Sequence, residues 1–451
     1  MALTLSGTNG IVGAGFTLDA SGASVTAGVG TFGSFADIKV GSGVTISQDG
    51  DVFATGITTS SSVIVGSGVT ISESGIEASG IGITCASING TQIGGRKNLI
   101  INGAMEVAQR GTSSTDQLYQ TVDRMRLARS GVDGNPSQSQ LTITNSAMNS
   151  LGFRKAYRIV NGNQTSGAGT ADSIACSYRF EARDMRMSGW DYTNPNSFIT
   201  LQFWVYSSVG QTYYMRLRTL DGTSQNYTMS YTLSANTWTK VIKTIPGNSN
   251  IQFDDDSFQG LQVNWFLYSG TDYTPSSMTL NSWGTYDVNT QSPDQTTTWY
   301  TTNDATWNIT GFQLEVGSQA TAFEHRTFAE ELHSCKRYYQ KSYAYETAPG
   351  TADSFLNQLI GRAYASVQNR MDLQTRFEVE MRTTPTITTY TPSGGTTGKV
   401  EDYASGNGSA AGTARDVSAV RNLGNKGFGG ITVSPAQDGV LGVHYTADAE
   451  M

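Results

Sequence analysis

Three polar stretches of the chain hold large aromatic side chains among residues that ordinarily face water. Trp190 and Tyr192 lie in SGWDYTNPN, Trp283 and Tyr286 in NSWGTYDVN, and Trp299 and Tyr300 in QTTTWYTTND. A flat ring can pack on the C–H face of a sugar, while neighbouring Asn, Asp and Ser read its hydroxyls. Each ring is therefore either a plug over the end of a β-sandwich or a contact for a ligand. These six are the candidate glycan-binding residues. Trp204, Trp238, Trp265 and Trp307 lie in strand-like runs and are expected to pack in the core or between sheets.

Other chemistry is sparse. The histidines are His325, His333 and His444, with no HExxH and no carboxylate at ligand spacing. No GxSxG or Walker loop occurs. Asp254-Asp255-Asp256 is the densest carboxylate run, but the spaced calcium-loop pattern and its glycine are missing, so a solvated loop is expected. Any two carboxylates could meet in space as a glycoside-hydrolysing pair, and nothing favours one pair. No catalytic residue, metal site or cofactor is read from the sequence.

The elements that must position the aromatics are strands. Phe198–Tyr206 alternates, with Ile199, Leu201, Phe203 and Val205 on one face and Trp204 on the other. Tyr213–Leu220 alternates too and puts Arg216 and Arg218 together. Asn236–Ile245 carries Trp238. Gly260–Tyr268 and Trp307–Val316 complete the visible set. Turns are marked by Asn161-Gly, Asp221-Gly and Pro246-Gly. In the last strand Ile309, Gly311, Gln313 and Glu315 alternate with Thr310, Phe312, Leu314 and Val316. A helix follows, opened by the capping box Thr327/Glu330. Phe328, Leu332, Cys335 and Tyr339 are expected on its buried face.

Residues 1–95 repeat. Val12-Gly-Ala-Gly, Val40-Gly-Ser-Gly and Val65-Gly-Ser-Gly each open a similar unit, at intervals of 28 and 25 residues. Each unit reads as two short strands around a Gly turn, with few large apolar side chains. Backbone ordering costs roughly 1–2 kcal/mol per residue, more than such a unit can offset by burial alone. Copies around an axis would supply the missing contacts, so an intertwined trimeric shaft is expected.

With 451 residues, about three domains are expected at roughly 100–200 residues each. Charged residues make up 15%, glycine numbers 51, and net charge is −8, a balance that suits turn-rich β-structure. Without a basic run, nucleic acid is not an expected partner. No apolar run is long enough to cross a membrane as a helix, and the N-terminus lacks signal-peptide character. Cys85, Cys176 and Cys335 are odd in number and far apart, as expected of thiols in a reducing compartment.

Several phrases resemble known families. The opening MALTLSGTNGIVGAGFTLDASGASVTAGVGTFGSF is similar to the N-termini of virion appendage proteins from phages of marine cyanobacteria, which implies docking to a tail or capsid protein. NLIINGAMEVAQRGTS, and GFQLEVG followed by ATAFEHR and CKRYY, resemble the start and end of a domain in tail-fibre-like proteins of tailed bacteriophages. The Trp238 strand and ITGFQLEVG resemble jelly-roll carbohydrate-binding modules. HYTADAE resembles the closing strand of phage fibre tips, and the last domain resembles trimeric C1q-like heads.

The expected architecture is all-β. Residues 1–97 form a virion-attachment segment and repeat shaft, 98–325 a jelly-roll domain, 326–342 a linking helix and 343–451 a trimeric β-sandwich tip. The resemblances imply a homotrimeric virion fibre, assembled in the host cytoplasm, adhering to a host surface glycan without catalysis or membrane insertion. The alternatives are a purely structural appendage or adaptor, and a capsular polysaccharide depolymerase.

Overall fold

The computed structural model describes residues 97–451 except 276, 353–354, 365–369, 404–410 and 435–437; before residue 97 it describes the backbone of eight short strands. The chain divides into two compact units, Met1–Cys85 and Ala86–Met451. The fold is all-β with several sheets, as composition and strand patterning predict.

In the first unit the repeat is a three-stranded antiparallel meander, one strand more than the two expected. Asp37–Val40 pairs with Val44–Ser47, which pairs with Val52–Ala54. Ser62–Val65, Val69–Ser72 and Gly75–Ala78 reproduce the same ladder, with Val65↔Val69 standing where Val40↔Val44 stood. The additional strand is the Val/Ile-bearing segment before each Gly-Ser-Gly, whose side chains suit a pleated backbone. An earlier hairpin joins Phe16–Asp19 to Gly22–Val25. The opening stretch 1–15, Cys85 and Arg96 lie outside the described residues.

Two six-stranded antiparallel sheets dominate the second unit. The first sheet runs Arg126–Ser130, Ser173–Glu181, Gln259–Ser269, Thr212–Thr219, Gln225–Thr232 and Trp283–Thr285. The second runs Thr239–Pro246, Phe198–Ser207, Thr306–Val316, Lys155–Val160, Ser137–Thr142 and Ser113–Ser114. Their inner faces meet through aromatic edges, making a jelly-roll sandwich. Phe203 meets Tyr231 and Trp265, each at 5.7 Å, and Trp265 meets Phe312 at 4.9 Å. Ile199, Leu201, Phe203 and Val205 are wholly buried, as their alternation predicts.

The strand Thr306–Val316 departs from simple alternation. Trp307, Ile309, Phe312 and Leu314 all belong to the core, so the inward face changes parity between Ile309 and Phe312. Gly311 causes the change. It sits at φ +61°, and the ladder to Phe198–Ser207 slips between Gln202 and Trp204. The expected grouping of Ile309 with Gln313 and Glu315 is therefore wrong. A glycine in the left-handed region inserts one extra residue and resets the pleat. A Cβ there would also lie 2.6 Å from the Phe153 ring.

Beyond the bulge the outward side chains close the domain. Glu315 accepts from the Thr321 amide at 2.9 Å and from Gln313 at 3.0 Å. Glu324 accepts from the amides of Lys97 and Asn98 at 2.9 and 2.7 Å, and Asn98 Oδ1 accepts from Leu314 N at 3.1 Å. The start and finish of the domain are thus stitched side by side, each buried polar group satisfied.

The helix Phe328–Cys335 carries the expected capping box in both directions. Its buried face matches the expected one only at Cys335. Glu331 and Cys335 are buried, while Phe328 is 45% exposed. Glu331 turns inward because it accepts from the Asn102 amide at 2.6 Å. The helix ends at Cys335, and Tyr339 already belongs to a strand.

That strand, Tyr339–Lys341, pairs with Gly439–Asp448, the central strand of the last sheet. Along its first half Gly439–Asp448 bonds Leu359–Tyr364 on one side and Lys399–Asp402 on the other. Those two are joined through Arg370–Asp372, Ile431–Ser434 and Thr413–Val420, so the ladder returns to its start and the last sheet closes on itself. Closure removes open edges. Its core holds Met371, Phe377, Phe428, Ile431, Leu441 and Val443.

Burial dominates the tyrosines. It pushes Tyr119, Tyr343, Tyr345 and Tyr445 up to about 12. Unfolded phenols ionise near 10. The folded chain therefore holds more phenolic protons above that pH, and this share of stability, complete below about pH 10, falls as pH rises toward 12. Alkaline titration should show tyrosinate absorbance rising together with loss of tertiary circular dichroism. Smooth ionisation of these groups in a still-folded chain would contradict this.

Candidate functional site

The six expected contact residues do not form one site. Trp299 is fully buried and Tyr300 is 1% exposed. They sit on a single helical turn, Thr298–Thr301, that enters the end of the sandwich while the threonines face out. Trp299 Nε1 donates to Thr306 O at 3.2 Å; Tyr300 stacks on Tyr268 at 4.3 Å and donates to Asp172 Oδ2 at 2.9 Å. Asn161 donates to the carbonyls of Trp299, Tyr300 and Thr302, capping the turn. Both residues are plugs, and the expectation that they contact ligand is corrected. Polar neighbours misled because one turn of helix can carry two consecutive residues inward while the threonines on either side face solvent.

Trp190 is 3% exposed and its Nε1 donates to Ser197 O at 3.3 Å. With half-buried Tyr192 it packs around Phe253, a second plug. Half-buried Trp283 lies 5.2 Å from Tyr227 and donates to Pro246 O at 2.7 Å. Tyr286, also half-buried, lies against Arg218, whose guanidinium carbon is 3.5 Å from the ring centre. Of the six, Tyr192, Trp283 and Tyr286 keep partly open faces.

The aromatic pair that does line a cleft is Tyr206 and Trp238. Their centroids are 5.6 Å apart, tilted by 47°. Sequence placed Trp238 inside a strand, but that strand starts at Thr239. Trp238 stands on the turn before it, where Asn236 adopts φ +59° and accepts from Tyr206 OH at 2.9 Å. The half-buried Trp238 ring therefore lies over the outer face of the second sheet, not between the sheets.

Register builds the floor. Tyr206 pairs with Asn308, and Asn308 with Arg158, so three outward side chains form a row across adjacent strands. Thr142–Asn145 make the far wall. The resulting cleft has a volume of about 290 Å³, near the lower end of ligand sites at roughly 300–1,000 Å³. Asn308 is 4% exposed, yet its Oδ1 has no hydrogen-bond partner; Arg158 Nε also lacks one. Buried polar atoms without partners are costly. Here they supply an acceptor and a donor at the base of an aromatic-walled cleft.

The cleft is lined by Leu, Ile, Thr, Asn, Arg, Tyr and Trp, with no carboxylate or imidazole. It can bind but has no acid–base pair for hydrolysis. Asp255 pairs with Arg183 and Arg186 on the surface, and among the described residues no group of three His, Cys, Asp or Glu side chains gathers to hold a metal. His325 bonds Leu151 O at 3.0 Å, and buried His444 stacks on Tyr343 at 3.9 Å. Among the described residues no helix is long and apolar enough to cross a membrane.

No family model matches the chain, and no curated protein matches it. Among solved structures it is similar to the enzymatically active domain of tailspike protein 4 of bacteriophage CBA120, at 11% identity over 49% of this chain and 21% of that one, with TM-score 0.26. It is similar to a family 11 carbohydrate-binding module of a cellulosomal cellulase from Clostridium thermocellum, at 11% identity over 48% of this chain and 98% of that one, with TM-score 0.23. The N-terminal cellulose-binding domain of β-1,4-glucanase C from Cellulomonas fimi gives 11% identity over 48% of this chain and 99% of that one, with TM-score 0.23.

Proposed function

We propose that this chain is a glycan-binding virion fibre protein, docked to a tail or capsid protein by its N-terminal segment and adhering to a host-cell surface sugar. One observation carries the binding role: the Tyr206/Trp238 pair standing over the unpartnered Asn308 Oδ1. Rings take the apolar face of a sugar, and the amide and guanidinium meet its hydroxyls. In this reading 1–97 is attachment segment and shaft, 98–325 the sugar-binding domain, 326–342 the connecting segment and 343–451 the tip, with three chains around one axis. Threefold display makes a weak single cleft useful through avidity. The particle is assembled in the host cytoplasm.

The experiment is a glycan array with the full chain, repeated with Trp238→Ala. Trp238 is half-buried and outside the main core, so the variant should stay folded. It should lose binding by about 30-fold, as expected for a central Trp contact worth about 2 kcal/mol. Sedimentation of the same sample should give three 48.2 kDa chains. A folded variant that binds as tightly as the parent removes the cleft from the proposal, and a compact monomer removes the shaft.

A further inference from the structure

The opposite side of the sandwich carries a second field of side chains that the cleft does not use. On the outer face of the first sheet, Arg126 pairs with Ser177, Ser177 with Asn264, and Asn264 with Arg216. In the adjacent row Arg179 and Arg218 both stand opposite Gln262. Neighbouring strands lie about 4.8 Å apart, so Arg126 and Arg216 are separated by about 14 Å, and Arg179 and Arg218 by about 10 Å. Four guanidinium groups thus share one face of a chain whose net charge is −8.

Among the described residues none of the four forms a salt bridge with a carboxylate. Arg216 and Arg218 are held by neutral groups, and Arg179 Nη1 donates to Met451 O. Arg218 Nε donates to Ser224 Oγ at 3.1 Å, and Arg216 donates to Gln291 Oε1 at 3.3 Å. Tyr286 backs both, its ring centre 3.5 Å from Arg218 and 4.9 Å from Arg216. Arg216 is 2% exposed and Ser177 1%, yet Arg216 Nε and Ser177 Oγ have no partner, nor do Arg179 Nε and Asn264 Oδ1. Burying a cation without an anion is unfavourable. Arg126, Arg179, Asn264 and Arg218 are only half-buried, so the field opens to solvent.

We propose that this face binds a short stretch of acidic polysaccharide, its carboxylates or sulfates taken by the arginines and its hydroxyls by Ser177 and Asn264. Guanidinium forks match planar anions in two-point bonds. Single-stranded nucleic acid fits less well, because stacked bases need open aromatic platforms and Arg218 already covers the Tyr286 ring.

The test titrates the full chain with alginate oligomers for carboxylate, dextran sulfate for sulfate, neutral dextran and single-stranded DNA. One or both acidic sugars should bind, with affinity falling as salt rises, while dextran does not. Arg126→Gln and Arg218→Gln should each weaken binding by about tenfold. Trp238→Ala should leave it unchanged, which separates this site from the cleft. If either arginine variant fails to fold, phenylglyoxal labelling of the parent chain replaces it: acidic sugar should protect Arg126 and Arg218. The proposal is overturned by equal binding of dextran, by folded variants that bind as the parent does, by labelling without protection, or by DNA binding more tightly than both acidic sugars.

Discussion

Glu450→Ala should destabilise the second unit by about 3–5 kcal/mol, the range for leaving a buried charge without its partner. Arg124 is the reason. It is 1% exposed, it remains charged at any pH a protein survives, and its Nη1 forms an ion pair with Glu450, itself almost wholly buried. The guanidinium carbon lies 3.4 Å from the centre of the Tyr338 ring, so packing leaves it nowhere to turn. Glu450 also lies 3.7 Å from Arg110, which keeps Asp448 at 3.0 Å and Asp123 at 3.6 Å. Arg110 therefore loses one of three partners, whereas Arg124 loses its only carboxylate among the described residues. Beside them Arg337 grips Glu181 through two bonds of 2.7 and 2.6 Å, and Tyr338 OH donates to the same carboxylate at 2.6 Å. This cluster joins the sandwich to the last sheet. Denaturant unfolding of the variant should show both parts weakened together, and a midpoint equal to the parent's would refute the account.

Trp299→Ala should cost about 3–5 kcal/mol, the range for deleting a buried aromatic side chain. Trp299 is fully buried, and removing it empties the end of the sandwich and frees the Thr306 carbonyl it bonds. The neighbouring Asn161 contacts depend on the same turn. Sugar binding should fall only as folded protein is lost. The sharp comparison is with Trp238→Ala, expected to stay folded and lose binding. If Trp299→Ala melted like the parent while binding weakened, the assignment of plug and contact would be reversed.

Much of the scaffold was legible in the sequence. The inward set Ile199, Leu201, Phe203 and Val205 followed from alternation alone, and the capping box at Thr327 from two residues. The same alternation left Trp204 on the outer face and grouped Arg216 with Arg218. What failed were places where one residue redirects the chain. Gly311 shifted the pleat, Asn236 turned Trp238 out of its strand, and a single helical turn buried Trp299 and Tyr300. The cleft itself was not legible. Tyr206, Asn308 and Arg158 meet only through ladder register between segments far apart in the chain, and register is a property of the folded sheet. The phrases that read most distinctively, GFQLEVG with ATAFEHR and CKRYY with HYTADAE, hold parts of the second unit together.

The kink at Gly311 has one more implication. It divides a single strand into two stretches with separate duties. Upstream, Asn308 looks into the cleft; downstream, Gln313 and Glu315 lock the domain shut. In the proposed role, substitutions in the first stretch can therefore retune the cleft while the second stays constant, and a new specificity need not unpick the seam on which the fold depends.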